Sequence, residues 1–444
     1  MKSIFVMTYY HLLHAAALAM TFEERPALYV EQDFLKISDA FLERIRATDI
    51  FAEVHGIRKS GFVHAYNAEI VRTKDLPAEE IDRIGTDIFE RWLEPFYARV
   101  FADADEDETF YSYNDHQSCI YYIHKHFRSI VGVEDGYKVL ESKIAAAKDV
   151  PHDFYVALSR FYGKYYPEPM WKNSKVERIL SSCAYGGDDP YYRQRVEVLD
   201  FFDLVEQNRE RFLGVLGTLF DLPEIDVPER SSLVLTQPLA RAGYCTLDAY
   251  YLLLRKLIRT ERARGNAVYL KPHPAEELHM GMFRHEVDGI LPKEMPSEVL
   301  NYLGARFGRG VSFNSASLST ADYLAEAELL YREKEHTYEG FQRVIQQYVR
   351  GERIWLDLYV KVRKLEPGRL VDALSCLKQG GRIRVRVHIV LSDALFEEGV
   401  RYFSAGSVGA HVREYLRRMR DLREPVAWRR RLLQLDAVAS RALA

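Results

Sequence analysis

Short apolar strands alternate with helical stretches from the first residues of this chain, stop midway, and start again. Residues 3–7 (SIFVM), 27–30 (ALYV) and 51–54 read as strands, with helices over 12–21 and around 41–45. A polar helical region covers 78–101. Residues 109–113 (TFYSY) are then a strand, 116–128 a helix and 129–133 (SIVGV) another strand. Residues 145–228 read as helix and irregular connection, closing on a turn-rich LPEIDVP. Strand signals return at 232–235, 267–270, 287–291 and 310–313. Helices are expected over 247–261, from 297, and from 314 to about 330. This order specifies parallel sheets covered by helices. Two such halves predict two α/β domains facing a central cleft, over 1–205 and 206–333.

Beyond 334 the texture changes. Residues 354–362 and 383–391 alternate like strands, with a helix over 368–377 between them. After 395 the pattern is helical and basic, with Arg413, Arg417, Arg418, Arg420, Arg423, Arg429, Arg430 and Arg431. This segment, 334–444, is expected to be an accessory α+β extension. Its basic helices suit a packed or solvated face, or a peripheral contact with an anionic membrane.

A chain of 444 residues with 48% apolar and 28% charged residues is globular, with room for two or three domains. A net charge of −4 argues against bulk nucleic-acid binding. The four cysteines are far apart and form no CxxC, which suits reduced thiols in the cytoplasm. His11 and His14 interrupt the apolar amino terminus, so it is not read as a signal peptide, and no run is long enough to span a membrane.

The strand at 267–270 stops at Lys271-Pro272-His273-Pro274. Neither proline has an N–H for a sheet ladder, and together they hold His273 in a stiff extended turn. Pro274 suits the first position of a helix over Ala275-Glu276-Glu277. Strand ends and helix starts in α/β sheets are where ligands, anions especially, bind. A half-buried turn histidine fits the same residues. Glu134-Asp135-Gly136 ends the strand at 129–133, where a carboxylate can take a proton from a hydroxyl. Asp-Gly is equally a turn pair. Asn314-Ser315-Ala316-Ser317 offers hydroxyls and amides to a phosphate, or caps a helix. Glu294 is placed to contact a ribose, or lies in a solvated loop. Thr236 and Gln237 are placed to line a nucleotide base.

Asp103-Ala104-Asp105 is a DxD inside DADEDE, which reads as a solvated acidic loop. There is no P-loop, GxGxxG, GxSxG or HExxH. No histidine spacing compels a metal.

In their order along the chain, the acidic pair with glycine, the His-Pro and the serine pair resemble the bacterial sialyltransferases of the lipooligosaccharide and capsular polysialic acid group. Thr8-Tyr9-Tyr10 and Leu235-Thr236-Gln237-Pro238 resemble the lipooligosaccharide branch. The resemblance covers about residues 1–330 and implies a GT-B fold of two Rossmann-like domains. It implies a metal-independent, inverting transfer of sialic acid from CMP-sialic acid to a glycan hydroxyl on lipooligosaccharide or capsular polysaccharide, so that neither metal nor cofactor is expected. In that scheme Asp135 is the base, with Glu134 in reserve. His273 binds the leaving phosphate with Ser315 and Ser317, Glu294 contacts the ribose, and Lys271, Pro274, Thr236, Gln237 and Asn314 complete the donor site. Thr8, Tyr10, His11 and Asn114 are the candidates for the acceptor side. A CMP-Kdo transferase remains open, as does a non-catalytic glycan- or nucleotide-binding subunit of a capsule complex. The implied place is the cytoplasm, at the inner face of the inner membrane.

Overall fold

The computed structural model describes residues 2–59, 76–113 apart from 78, 81, 82, 85, 86 and 88, 118–141, 144, 171–332 apart from 173, 174, 223, 224, 277 and 279, 337–361 and 381–390. The chain divides into two compact units. The first comprises Met1–Ile225, Glu294–Ala305 and Ser319–Asp322, and the second Asp226–Lys293, Arg306–Leu318 and Tyr323–Ala444.

The first unit runs β1 (Lys2–Val6), α1 (Tyr9–Ala19), β2 (Ala27–Glu31), α2 (Asp39–Ala47), β3 (Glu53–Ile57), α3 (Glu94–Val100), β4 (Thr109–Ser112), α4 (Ser118–His126) and β5 (Ser129–Val133). It continues with β6 (Val176–Ser181), α5 (Pro190–Arg195), β7 (Val196–Val198), α6 (Phe201–Gln207) and α7 (Arg209–Leu219). Its sheet has the order β3-β2-β1-β4-β5-β6-β7, parallel throughout. The strand order reverses between β1 and β4, so the switch point of a Rossmann-like sheet lies at their carboxyl ends. Helix α1 is buried along almost its whole length, which its YYHLLHAAALA composition permits. Thr8 starts it, its Oγ1 accepting from His11 N at 3.0 Å. Tyr97 of α3 and Ile123 of α4, with Phe101 and Phe127 just beyond their ends, pack with Phe5, Tyr29, Phe110 and Ile130 of the sheet.

The second unit repeats the plan with β8 (Ser231–Leu235), α8 (Leu247–Ala263), β9 (Ala267–Lys271), β10 (Gly289–Ile290), β11 (Phe307–Ser312), β12 (Leu324–Leu329) and α9 (Tyr338–Tyr348). The order β10-β9-β8-β11-β12 is again parallel, with its switch point between β8 and β11. The apolar face of α8, with Tyr251, Leu253, Leu257 and Ile258, covers Val234, Val268 and Leu270. Two Rossmann-like sheets in one chain are the two halves that the GT-B expectation requires.

Several expectations need correction. The division falls after Ile225, not after 205, because Phe212, Val215, Leu216 and Leu219 of α7 are buried within the first unit. Arg44 of α2 also donates to Leu219 O at 3.3 Å. Strands β6 and β7 occupy a stretch read as helical or irregular. Strand β12 replaces the last turns of a helix expected to run to about 330. LAEAEL favours helix by composition, but Glu326 and Glu328 flank Arg309 of β11 as ion-paired neighbours in the sheet. Segment 334–444 is not wholly separate, since Phe341, Ile345 and Val349 join the core of the second unit. Strands β13 (Ile354–Lys361) and β14 (Ile383–Val390) pair in parallel. The helix expected over 368–377 and the arginine-rich helices lie outside the described residues. Among the described residues, no helix is long and apolar enough to cross a membrane.

Candidate active site

In the first unit, the start of α1 after β1 and the loops after β4 and β5 bring His11, Tyr113 and Asp135 together. Asp135 Oδ1 is hydrogen-bonded to His11 Nε2 across 124 positions of sequence. Nδ1 of His11 accepts the Met7 N–H at 3.5 Å, which leaves the ring proton on Nε2, facing the carboxylate. The imidazole is buried and stacks on Tyr113, with centroids 4.8 Å apart and planes 15° from parallel. Asp135 keeps 30% of its side-chain surface exposed. Tyr10 lies beside it. Burial, then Glu298, Glu134, Asp135 and Tyr137, hold its phenol well above the ordinary range.

The adjacent acid does something else. Glu134 is buried, and its two oxygens accept from five donors: Val139 N, Leu140 N, Ser181 Oγ, Ser182 N and Ser182 Oγ. It ties the end of β5 to the end of β6. Neighbouring strand-end residues point opposite ways, which separates a structural acid from an accessible one.

His14 sits one turn along α1, with Nδ1 2.7 Å from the Tyr113 hydroxyl. Burial, and then His11, push its pKa down to about 3. As pH falls below about 6.5, the unfolded chain takes up a proton that the folded chain refuses until about pH 3. Stability present above pH 6.5 is therefore lost across that window, by on the order of 4 kcal/mol at its acid end. His14→Gln retains a partner for Tyr113 and cannot titrate. Urea unfolding at pH 7.5, 5.5 and 4.5 is expected to show a flatter acid slope than wild type. Parallel slopes would remove His14 as the cause.

In the second unit, β8, β9 and β11 deliver the other cluster. Thr236 Oγ1 accepts His273 N–H at 3.0 Å and donates to Glu276 Oε2 at 2.8 Å. The Tyr250 hydroxyl donates to the same oxygen. His273 Nδ1 accepts from Ala275 N at 3.0 Å, so the neutral ring carries its proton on Nε2. The residue is exposed on its outer face. Desolvation by the surrounding protein, then the charges of Lys271, Lys293 and Arg241, push its pKa down to about 4. Because that face is open, the cations are the part of this shift that a bound anion would reverse. Lys271 Nζ donates to Pro272 O at 2.6 Å, and Lys293 Nζ to Glu276 O at 2.6 Å.

Gln237 bridges the switch point. Its Oε1 accepts Asn314 N–H at 2.7 Å while its Nε2 donates to Asn314 O. Ser312 pairs with Leu235 in the sheet, so the side chain of Gln237 carries that pairing two residues further. Ser315 and Ser317 follow, half-buried at a five-residue 3-10 turn, Ala316–Thr320.

Two parts of the expected donor site change. Pro274 begins a turn, not a helix, and the next regular element is the 3-10 helix Met280–Phe283. The Glu276 side chain folds back on Thr236 and on Leu278 N, and these local bonds replace the helical ladder. Among the described residues no α-helix starts behind His273, and a 3-10 turn rather than an α-helix follows Ser315. Glu294 is exposed and belongs to the first unit, where its charge acts on Tyr9. Asn114 lies outside the described residues. The DADEDE run is a turn and a tether: Asp107 N donates to Asp105 Oδ1 at 3.0 Å, and Ser3 Oγ to Glu108 at 2.6 Å. Among the described residues, no three His, Cys, Asp or Glu side chains gather as a metal site.

Sequence reasoning missed Tyr113, His14, Glu276, Lys293 and Arg241. Tyr113 had a usable signal, since it directly follows the strand beside β1 at the switch point.

No protein-family model and no curated protein matches the chain. Among solved structures it is similar to an α/β-galactoside α-2,3-sialyltransferase from the luminous marine bacterium Photobacterium phosphoreum. Identity is 11% and the TM-score 0.43, over 79% of this chain and 97% of that one. A UDP-GlcNAc 2-epimerase from Neisseria meningitidis, bound to UDP-GlcNAc, shares 12% identity at TM-score 0.42, covering 79% and 91%. A spinosyn rhamnosyltransferase complexed with thymidine diphosphate shares 13% at TM-score 0.34, covering 79% and 92%. The three differ in chemistry and assign no substrate. The fold rests on the strand orders given above.

Proposed function

We propose that the chain is an inverting, metal-independent glycosyltransferase that moves sialic acid from CMP-sialic acid to a hydroxyl of a glycan acceptor. The supporting observation is that each Rossmann-like unit presents one half of that chemistry at its strand ends. The first offers the accessible Asp135 carboxylate, hydrogen-bonded by His11. The second offers the exposed His273, its Nδ1 occupied by the Ala275 amide, within the field of Lys271, Lys293 and Arg241.

The acceptor oxygen forms its bond to the anomeric carbon as the bond from that carbon to the phosphate oxygen breaks. The released electron pair stays on CMP, and the hydroxyl proton passes to Asp135. His273 and the cations stabilise the charge that grows on the departing phosphate. A nucleoside monophosphate carries less charge than a diphosphate, which these groups can meet without a divalent ion. An acceptor on lipooligosaccharide or capsular polysaccharide would put this activity at the cytoplasmic face of the inner membrane.

A thermal-shift comparison of CMP, CDP and UDP tests the donor reading. CMP is expected to stabilise the chain most, by about 2.7 kcal/mol at a hundredfold excess over its dissociation constant. Incubation with CMP-sialic acid should release CMP, faster with a galactoside or sialoside present. Release only from CMP-Kdo moves the assignment to another sugar acid. No nucleotide effect and no release would leave a non-catalytic binding subunit.

A further inference from the structure

We propose that His11 and Asp135 act as a pair, with His11 the positioning residue that fixes the Asp135 carboxylate toward the acceptor hydroxyl. This rests on the assignment of Asp135 as the base.

Four observations carry it. The His11 side chain is 2% exposed, so its contact with Asp135 is not a chance surface ion pair. Its backbone is fixed at the start of α1 by the Thr8 cap, and its ring by Tyr113, itself held by His14. Its proton is committed to Nε2 by the Met7 amide at Nδ1, so the group facing Asp135 is a donor. Glu134 is occupied by backbone and serine donors and leaves this role to its neighbour.

The loop that carries Asp135 passes through Gly136 at φ 135°, a conformation that side-chain-bearing residues rarely adopt, and Asp135 itself is partly open to water. A donor on Oδ1 favours the rotamers that keep this hydrogen bond. Charged and titratable groups around this pair among the described residues include Tyr113, His14 and Tyr10, and through Tyr10 also Glu298, Glu134 and Tyr137.

The test uses the full chain with H11F, which keeps a ring on Tyr113 but has no donor, and H11Q, which keeps an N–H near the place of Nε2. Transfer to a galactoside, acceptor-free CMP release, CMP thermal shift and unfolding midpoint are measured together. H11F is expected to lower kcat for transfer about 10²-fold, the cost of a misplaced reacting group. CMP binding should stay within about twofold, because the donor side is untouched. H11Q should recover most of the transfer rate. H11F at wild-type rate, or H11F and H11Q equally impaired, would overturn the pairing. Should H11F fail to fold, H11M takes its place in the same comparison. Transfer that survives D135A overturns the base assignment itself. An inactive D135A beside a fully active H11F overturns only the role of His11.

Discussion

Alanine at Asp135 is expected to lower glycosyl transfer about 10³-fold, within the range that a general base contributes, while leaving CMP binding nearly unchanged. The position supplies the one accessible carboxylate of the acidic pair, on a strand end beside the switch point of its sheet. D135N is expected to be nearly as inactive, since an amide preserves shape but takes no proton. E134Q should behave differently. Its amide nitrogen would face N–H and O–H donors now satisfied by a carboxylate, costing about 1–3 kcal/mol of stability. Kinetics paired with denaturant unfolding on these variants separates the two acids. A D135A enzyme of normal stability and normal transfer rate would falsify the assignment.

The same pair shows where the sequence was informative. Strand ends followed by Glu-Asp-Gly or Lys-Pro-His-Pro announce themselves, because glycine and proline mark where a ladder stops, and period-two side-chain alternation says that only one of two adjacent acids faces the site. Which one does so depends on Ser181 and Ser182 of β6 and its loop, a strand that the sequence reading missed. Its VERILS sequence mixes charge with apolar residues, and it forms because β5 and β7 pair with it. LAEAEL of β12 went astray for a similar reason, its helix-favouring residues being recruited by Arg309. Both sheets were nevertheless legible. Their central strands are short apolar runs separated by helices, which leaves parallel pairing as the solution. The Gln237 bridge to Asn314 was not legible, because it joins residues 77 apart through a backbone that has no sequence signature. The helix start expected behind His273 failed on local competition, with Glu276 turned inward to Thr236, and the one behind Ser315 is a 3-10 turn.

That failure sharpens what His273 must do, and alanine there is expected to cost about 10²- to 10³-fold in transfer, the usual loss when one charge-stabilising donor is removed. In the proposed function a phosphate at His273 would be met by the Nε2–H and by the cations Lys271, Lys293 and Arg241. In the free protein His273 is neutral above about pH 4, held there by desolvation and by Lys271, Lys293 and Arg241. A bound phosphate offsets those cations and raises the pKa, so binding should take up a proton when the pH lies between the free and bound values. CMP affinity is therefore expected to rise as pH falls from 7.5 toward 5. CMP has its own phosphate titration near pH 6, so the contribution of the ring is read as the difference between wild type and H273Q. Gln keeps an N–H donor but has no titration. Calorimetry in buffers of different ionisation enthalpy should show greater proton uptake for wild type than for H273Q, with H273Q retaining more activity than H273A. Equal proton uptake in both proteins would mean that His273 meets the phosphate, if at all, only as a neutral donor.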